Sequence, residues 1–155
     1  IGPTAVIYNC TIKDRVTVQA GVRIGQDGFG YLVDDKGRVI KKEQALRVLV
    51  EQDVEIGAGS TVDRGSWRDT VIGAETKLDC QVHIAHNVVL GRCCLLAAQC
   101  GIAGSTTVGS YLMMGGQSGI AQHLVIGDHV KIAAKSGVMT NLDSHTSYGG
   151  YPAVK

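Results

Sequence analysis

A period of six residues constrains this chain more than any other feature. From Ile72 an aliphatic residue returns at every sixth position: Ile72, Leu78, Ile84, Leu90, Leu96, Ile102, Val108, Met114, Ile120, Ile126, Ile132 and Val138. The residue after each is small or acidic through eleven steps, from Gly73 and Asp79 to Ala133, and Met139 ends the run. Four places after the aliphatic stands another compact or apolar residue, as at Val82, Val88, Cys94, Cys100, Thr106, Leu112, Leu124 and Val130. Six fits neither a 3.6-residue helix nor a two-residue strand repeat. It fits an all-β solenoid, a left-handed parallel β-helix of hexapeptide repeats in which three hexads make one triangular coil. The aliphatic points inward, the small neighbour eases the corner, and coils stack at about 4.8 Å. The left hand breaks no rule, because the right-handed crossover preference governs longer connections. Residues 72 to 143 are therefore expected to form four coils with all twelve aliphatics buried.

The same clock runs at Ile12, Val18 and Ile24 and again at Val50, Ile56 and Val62, while Ile1 and Ile7 keep the spacing one residue out of phase. Two breaks interrupt it. The step from Ile24 to Val50 is 26 residues, and Tyr31 to Ile40 within it places apolar flanks around Asp-Asp-Lys-Gly, a β-hairpin pattern. An excursion over about 27–45 is expected. The step from Val62 to Ile72 is ten, leaving a bulge with Ser66, Trp67 and Arg68. Loops that leave a regular scaffold often carry function, although a tolerated insertion has the same appearance. These readings divide the chain into a β-helix domain over residues 1–147 and the start of a tail over 148–155.

Composition narrows the function classes. Hydrophobic residues make up 45% of the chain with only one Phe, one Trp and five Tyr, so the core is aliphatic. Twenty-one glycines without a Gly-X-Y period exclude collagen. A net charge of +1 offers no electrostatic case for nucleic acid. No apolar run reaches the roughly 18 residues of a membrane span, and the start Ile-Gly-Pro-Thr lacks the pattern of a signal peptide. Cys10, Cys80, Cys93, Cys94 and Cys100 form no zinc-spaced pair, which fits reduced thiols and a cytoplasmic protein. Cys94 and Cys100 fall on inward positions, and Cys80 falls outward beside Asp79.

Eighteen residues complete a coil, so positions eighteen apart stack. His86 and Gly104 are such a pair, and His123 lies two coils and one residue beyond His86. Counting thus gathers two histidines and a glycine on one side of the prism. An outward neutral imidazole at His86 can take a proton from an amine or hydroxyl, and it can equally be a solvated surface histidine. His83 and His86 look like a metal-ligand pair but fall on different faces. The 86 and 123 spacing resembles the two-coil histidine pair of hexapeptide carbonic anhydrases, but Ser118 stands where the third ligand would be. No metal and no cofactor is expected. Gln26-Asp-Gly-Phe-Gly30 is not a phosphate loop, lacking both the GxGxxG spacing and a βαβ setting.

Several runs carry a family resemblance that covers nearly all of the chain. Gln26-Asp-Gly-Phe-Gly-Tyr31, the run from Val62 through Asp-Arg-Gly-Ser-Trp to Gly73, Leu78 to Asn87, and Gly101-Ile-Ala-Gly-Ser105 together resemble the UDP-3-O-acylglucosamine N-acyltransferases of lipid A synthesis. The hexads are common to many acyltransferases, whereas the DGFGY, DRG and IAHN runs are specific. The resemblance implies transfer of an acyl chain from acyl carrier protein to the 2-amine of a UDP-3-O-acyl-glucosamine. It implies His86 as general base, Gly104 as a backbone donor to the oxyanion, Asp79 as a carboxylate orienting the histidine, and His123 as a substrate contact. It also implies a homotrimer with active sites between neighbouring prisms.

This chain departs from the family pattern at three places. It opens inside a repeat, where the family carries an N-terminal uridine-binding domain, and it stops where the family continues into C-terminal helices. At position 80, where the family has asparagine, stands Cys80, a poor hydrogen-bond donor. Two alternatives remain open from sequence: another hexapeptide acyltransferase using acetyl-coenzyme A or a different sugar, and a non-catalytic trimeric scaffold.

Overall fold

The computed structural model describes residues 1–155 and contains strands and no helix. Three parallel sheets form the sides of a triangular prism. Sheet one stacks Val6–Ile7, Arg23–Gln26, Thr61–Asp63, His83–Ile84, Gly101–Ile102, Gly119–Ile120 and Gly137–Val138. Sheet two runs from Cys10–Ile12 through Val48–Val50, Thr70–Ile72, Val89–Leu90 and Thr107–Val108 to Val125–Ile126. Sheet three runs from Thr17–Val18 through Glu55–Ile56, Lys77–Leu78, Leu95–Leu96, Met113–Met114 and Lys131–Ile132 to Ser147–Tyr148. The register is the expected eighteen: His83 pairs with Gly101, Gly101 with Gly119, and Gly119 with Gly137. This is the left-handed hexapeptide β-helix anticipated from the period. No helix is long and apolar enough to cross a membrane.

All twelve aliphatics of the uninterrupted run are buried, and they join the earlier clock positions Val18, Ile24, Val50, Ile56 and Val62 in one core. Each such side chain contributes about 1.5–3 kcal/mol by leaving water. Cys94 and Cys100 belong to this core, and burial pushes the Cys94 thiol up to about 11. Buried hydroxyls fill the remaining inward positions without orphaned groups. Thr76 Oγ1, for example, donates to the Gly91 carbonyl and accepts from the Cys94 N–H.

The corners work differently from the expectation. The small residue after each aliphatic does not make the turn. It gives clearance between coils, since a Cβ added at Gly73 or Gly91 would run into the backbone of the coil above. The turning residue comes two places later and adopts left-handed φ near 60° as Gln81, Asn87, Cys93, Gln99, Ser105 and their successors, almost none of them glycine. That conformation costs an L-residue about 1–2 kcal/mol. An N–H donated to the coil below offsets it, as from Cys93 to the Ala74 carbonyl and from Ser105 to the His86 carbonyl.

Every departure from six falls at one corner, where the chain passes from sheet one to sheet two. The steps there are five from Ile7 to Ile12, 26 from Ile24 to Val50, ten from Val62 to Ile72, and four from Val138 to Leu142. The 26-residue step carries the hairpin, Tyr31–Val33 antiparallel to Val39–Lys41. Its turn is closed by the Asp34 carboxylate, which accepts the Lys36 and Arg38 N–H groups and pairs with the Arg38 side chain. Lys41 ties the hairpin back to Asp27.

Candidate active site

His86 sits at that irregular corner, one coil above the ten-residue bulge. Counting had put it outward on a face. In the structure it is half-buried at the edge between sheets one and two, and its ring is clamped. A Cβ at Gly104 would lie 2.6 Å from its Cε1 and 2.7 Å from its Nε2, and a Cβ at Gly28 would lie 2.5 Å from its Cβ. The ring therefore fills space that only two glycines leave free, one from the next coil and one from the excursion. The Gly104 carbonyl accepts from His123, but its N–H donates to nothing in the chain.

Asn87 holds the ring in register. Its Oδ1 accepts the Ser66 N–H at 2.7 Å, which fixes the amide orientation and turns Nδ2 toward His86 Nδ1 at 2.9 Å. A backbone N–H can only donate, so the atom facing the imidazole is the amide donor. The neutral ring consequently rests with its proton on Nε2. Asn87 is itself buried in the left-handed conformation, which asparagine tolerates better than most residues. The bulge packs on the same spot: Arg68 donates to the Asn87 carbonyl at 2.7 Å and lies over the Trp67 ring, and burial lowers its pKa.

Hairpin base, bulge and corner together enclose a pocket of about 190 Å³, lined among others by Phe29, Gln44, Trp67, His86, Ser105 and His123. Phe29 and Trp67 are exposed at its rim, and the Trp67 indole N–H donates to Ser105 Oγ. Gln44 is buried, its Oε1 has no partner, and its Nε2 donates to the Glu43 carbonyl at 3.2 Å. An unpaired buried amide oxygen costs about 1–3 kcal/mol unless something donates to it.

The structure thus brings His86, Gly104 and His123 to one corner. It does not bring Asp79 to them. Asp79 lies at the previous corner, between sheets three and one, exposed, with its carboxylate accepting the Cys80 N–H at 2.7 Å. His83 stands apart from His86 on sheet one, where Thr61 Oγ1 lies 2.7 Å from its Nδ1. No cluster of three or more His, Cys, Asp or Glu side chains converges anywhere. Gly28, Asn87 and Gln44 were not singled out from sequence, although Gly28 lies in the DGFGY run and Asn87 in the IAHN run. The largest depression, about 650 Å³, lies elsewhere, on the outer face of sheet three among Leu95, Met113 and Tyr148. Its lining is mainly apolar, with Glu55, Lys77, Asp79 and Lys131 among it, and holds no histidine, whereas the smaller corner pocket holds His86 and His123.

A family model for the bacterial transferase hexapeptide (six repeats) matches residues 69–104. A protein named probable UDP-3-O-acylglucosamine N-acyltransferase 2, mitochondrial, from Arabidopsis thaliana is 54% identical over 90 residues, which is 58% of this chain and 30% of that protein. The UDP-3-O-acylglucosamine N-acyltransferase of Azorhizobium caulinodans is likewise 54% identical over 90 residues, 58% of this chain and 25% of that protein. This chain resembles the UDP-3-O-acylglucosamine N-acyltransferases. The match spans less than a third of those relatives. Among solved structures, the UDP-N-acetylglucosamine O-acyltransferase of Moraxella catarrhalis is similar with a TM-score of 0.83 and 27% identity, covering 99% of this chain and 60% of that one. LpxA of Acinetobacter baumannii shares the fold at a TM-score of 0.80 and 23% identity, covering 98% and 64%.

Proposed function

We propose that this chain is the catalytic β-helix of an acyltransferase of lipid A synthesis, moving an acyl chain from acyl carrier protein to the 2-amine of a UDP-3-O-acyl-glucosamine. The observation that carries this is the clamped His86 beside the unpartnered Gly104 N–H, in a chain that over 90 residues is 54% identical to proteins named UDP-3-O-acylglucosamine N-acyltransferase. The amine nitrogen attacks the thioester carbonyl carbon, and His86 takes the amine proton. The carbonyl oxygen becomes an oxyanion facing the Gly104 N–H, a kind of donor worth around 3 kcal/mol. Collapse breaks the C–S bond, and the His86 proton leaves with the thiol. His123 and the Phe29–Trp67 rim contact the sugar nucleotide.

His86 must present an unprotonated Nε2 for this step, so its proton has to move to Nδ1 and find an acceptor there. The single chain supplies only the Asn87 donor at that atom. We assign the missing acceptor to the partner subunit's Asp79 in a homotrimer, packed so that the corner carrying Asp79 meets the corner carrying His86. The exposed apolar rows support such packing: Leu95 and Met113 on sheet three are each 46% exposed, and Val125 on sheet two is 57% exposed. Five cysteines without a paired spacing favour a cytoplasmic location. Mixing His86→Ala and Asp79→Asn protomers tests the shared site. Mixed trimers should regain activity that neither variant has alone, and no recovery in proven mixed trimers would put both residues in one chain's site.

The Moraxella neighbour favours a second reading, in which the same corner serves a hydroxyl acceptor. Full-length protein should be offered acyl carrier protein and coenzyme A thioesters, each with UDP-3-O-acylglucosamine and with UDP-N-acetylglucosamine. We expect an amide product from the carrier-protein donor alone. An ester product, or consumption of the coenzyme A thioester, would contradict the proposal.

A further inference from the structure

Asp63 is a buried carboxylate that the proposed reaction does not use. Its side chain is 7% exposed, and it sits one coil below Ala85, between the positions that carry His83 and His86. The next three residues above it in its column are small, Ala85, Ala103 and Ala121. A carboxylate there is an exception to the repeat. A β-bulge at Gly25, where φ is 95° and a Cβ would strike the Tyr8 carbonyl, shifts the register so that Gln26 pairs with Asp63. Gln26 Nε2 then donates to Asp63 Oδ1 at 2.7 Å and leaves its own buried Oε1 without a partner. On the other side, Asp63 Oδ2 lies 3.6 Å from His83 Nε2, a charge contact longer than a hydrogen bond. The Thr61 hydroxyl closes the row at His83 Nδ1. Two local costs, a bulge and an orphaned amide oxygen, are retained to hold one carboxylate beside His83 and under Ala85, the residue before His86.

We propose that Asp63 is a positioning residue, a buried counter-ion shared by His83 and His86 that favours positive charge at this corner when His86 takes a proton. Its kinetic part rests on the acyltransferase reading; the charge coupling does not. In contact with it are the Gln26 amide and His83; His86 and Asp27 act on it through their charge, and that of Asp27 is balanced by Lys41 and by Arg64 4.0 Å away. Burial raises the Asp63 pKa, and the two histidines and Gln26 act against that rise.

Asp63→Asn keeps the acceptor for Gln26 and removes only the charge. The test is a histidine NMR titration of the full-length protein together with a rate–pH profile. In Asp63→Asn the titration curves of the His83 and His86 rings should both move to lower pH relative to the unsubstituted protein, His83 further, while those of His129 and His145 stay. The acid limb of kcat/KM should move the same way. The fall in kcat should stay below the roughly 100-fold minimum expected for losing the base itself, and Asp63→Glu should restore part of it. Unmoved curves for both rings would overturn the proposal, and a shift confined to His83 would overturn the shared role. If the curves move as expected but no acyl transfer occurs even in the unsubstituted protein, the coupling stands and the acyltransferase reading falls.

Discussion

Two corners of the same prism obey opposite rules. Between sheets three and one the count never slips, and the turning residues Gln81, Gln99 and Gln117 hand a side-chain hydrogen bond from coil to coil at 2.8 Å. Between sheets one and two the count slips four times, and that corner holds His86, its glycine clamp, Asn87 and Asp63. The regular corner uses identical residues to do one structural job repeatedly. The irregular corner interrupts the job at four of its seven passages, and two of those interruptions add groups to one pocket, Phe29 and Gln44 from the excursion and Ser66 and Trp67 from the bulge, beside His86 and His123 from coils that keep the count. In a solenoid whose interior is uniform, specificity can only be written where the repeat is broken.

The comparison can be broken most severely from inside. Ile84→Ala empties a fully buried position beneath the site, and a loss of about 2–5 kcal/mol is expected from denaturant unfolding. A loss below about 1 kcal/mol would mean the coils at this level do not share one packed core. At the irregular corner, Asn87→Ala strands the Ser66 N–H and frees the imidazole. It should cost about 1–3 kcal/mol of stability and lower kcat with it. Stability falling with unchanged kcat would deny Asn87 any hold on the catalytic ring.

Asp63→Asn should behave oppositely in stability. A carboxyl whose folded pKa lies above its unfolded value contributes stability below the unfolded pKa and loses it as pH rises through the folded one. Asp63→Asn should therefore be at least as stable as the original chain at pH 7, and the advantage should shrink as pH falls toward the ordinary aspartate value near 3.9. A clear loss of stability at pH 7 would mark Asp63 as structural. Least affected should be Gln99→Ala at the regular corner, with a change under about 0.5 kcal/mol and no change in rate.

The period made the architecture legible because burial acts on every sixth residue identically, so Ile72 through Val138 could be placed inside by counting alone. Counting also located both breaks and the stacking of Gly104 on His86. It could not show that the breaks share one corner with His86, since that follows only when each step is assigned to a sheet. Nor could it show the clamp. Gly28 reaches His86 through the fold of a 26-residue excursion, and Gln26 reaches Asp63 through a bulge in a neighbouring strand, and neither distance is encoded in spacing. The left-handed turning residues were hidden for another reason: backbone bonds to the coil below pay for the conformation, so glycine is not required and leaves no sequence mark. Asp79 was carried from the resemblance, and the structure puts it at a different corner from His86, which is why we assign it to a neighbouring copy.

The most direct measurement compares a histidine from each kind of corner in the full-length protein. His129 stacks on Tyr111 and His145 at the corner between sheets two and three, which keeps the count of six. Steady-state kcat for acyl transfer from acyl carrier protein, at saturating UDP-3-O-acylglucosamine, should fall by about 10²–10⁴ in His86→Ala and stay within twofold in His129→Ala. Both variants should remain folded by circular dichroism; His86→Ala, whose half-buried ring leaves a gap, loses about 1 kcal/mol of stability. If His86→Ala retains near-normal kcat, the irregular corner is not the active site.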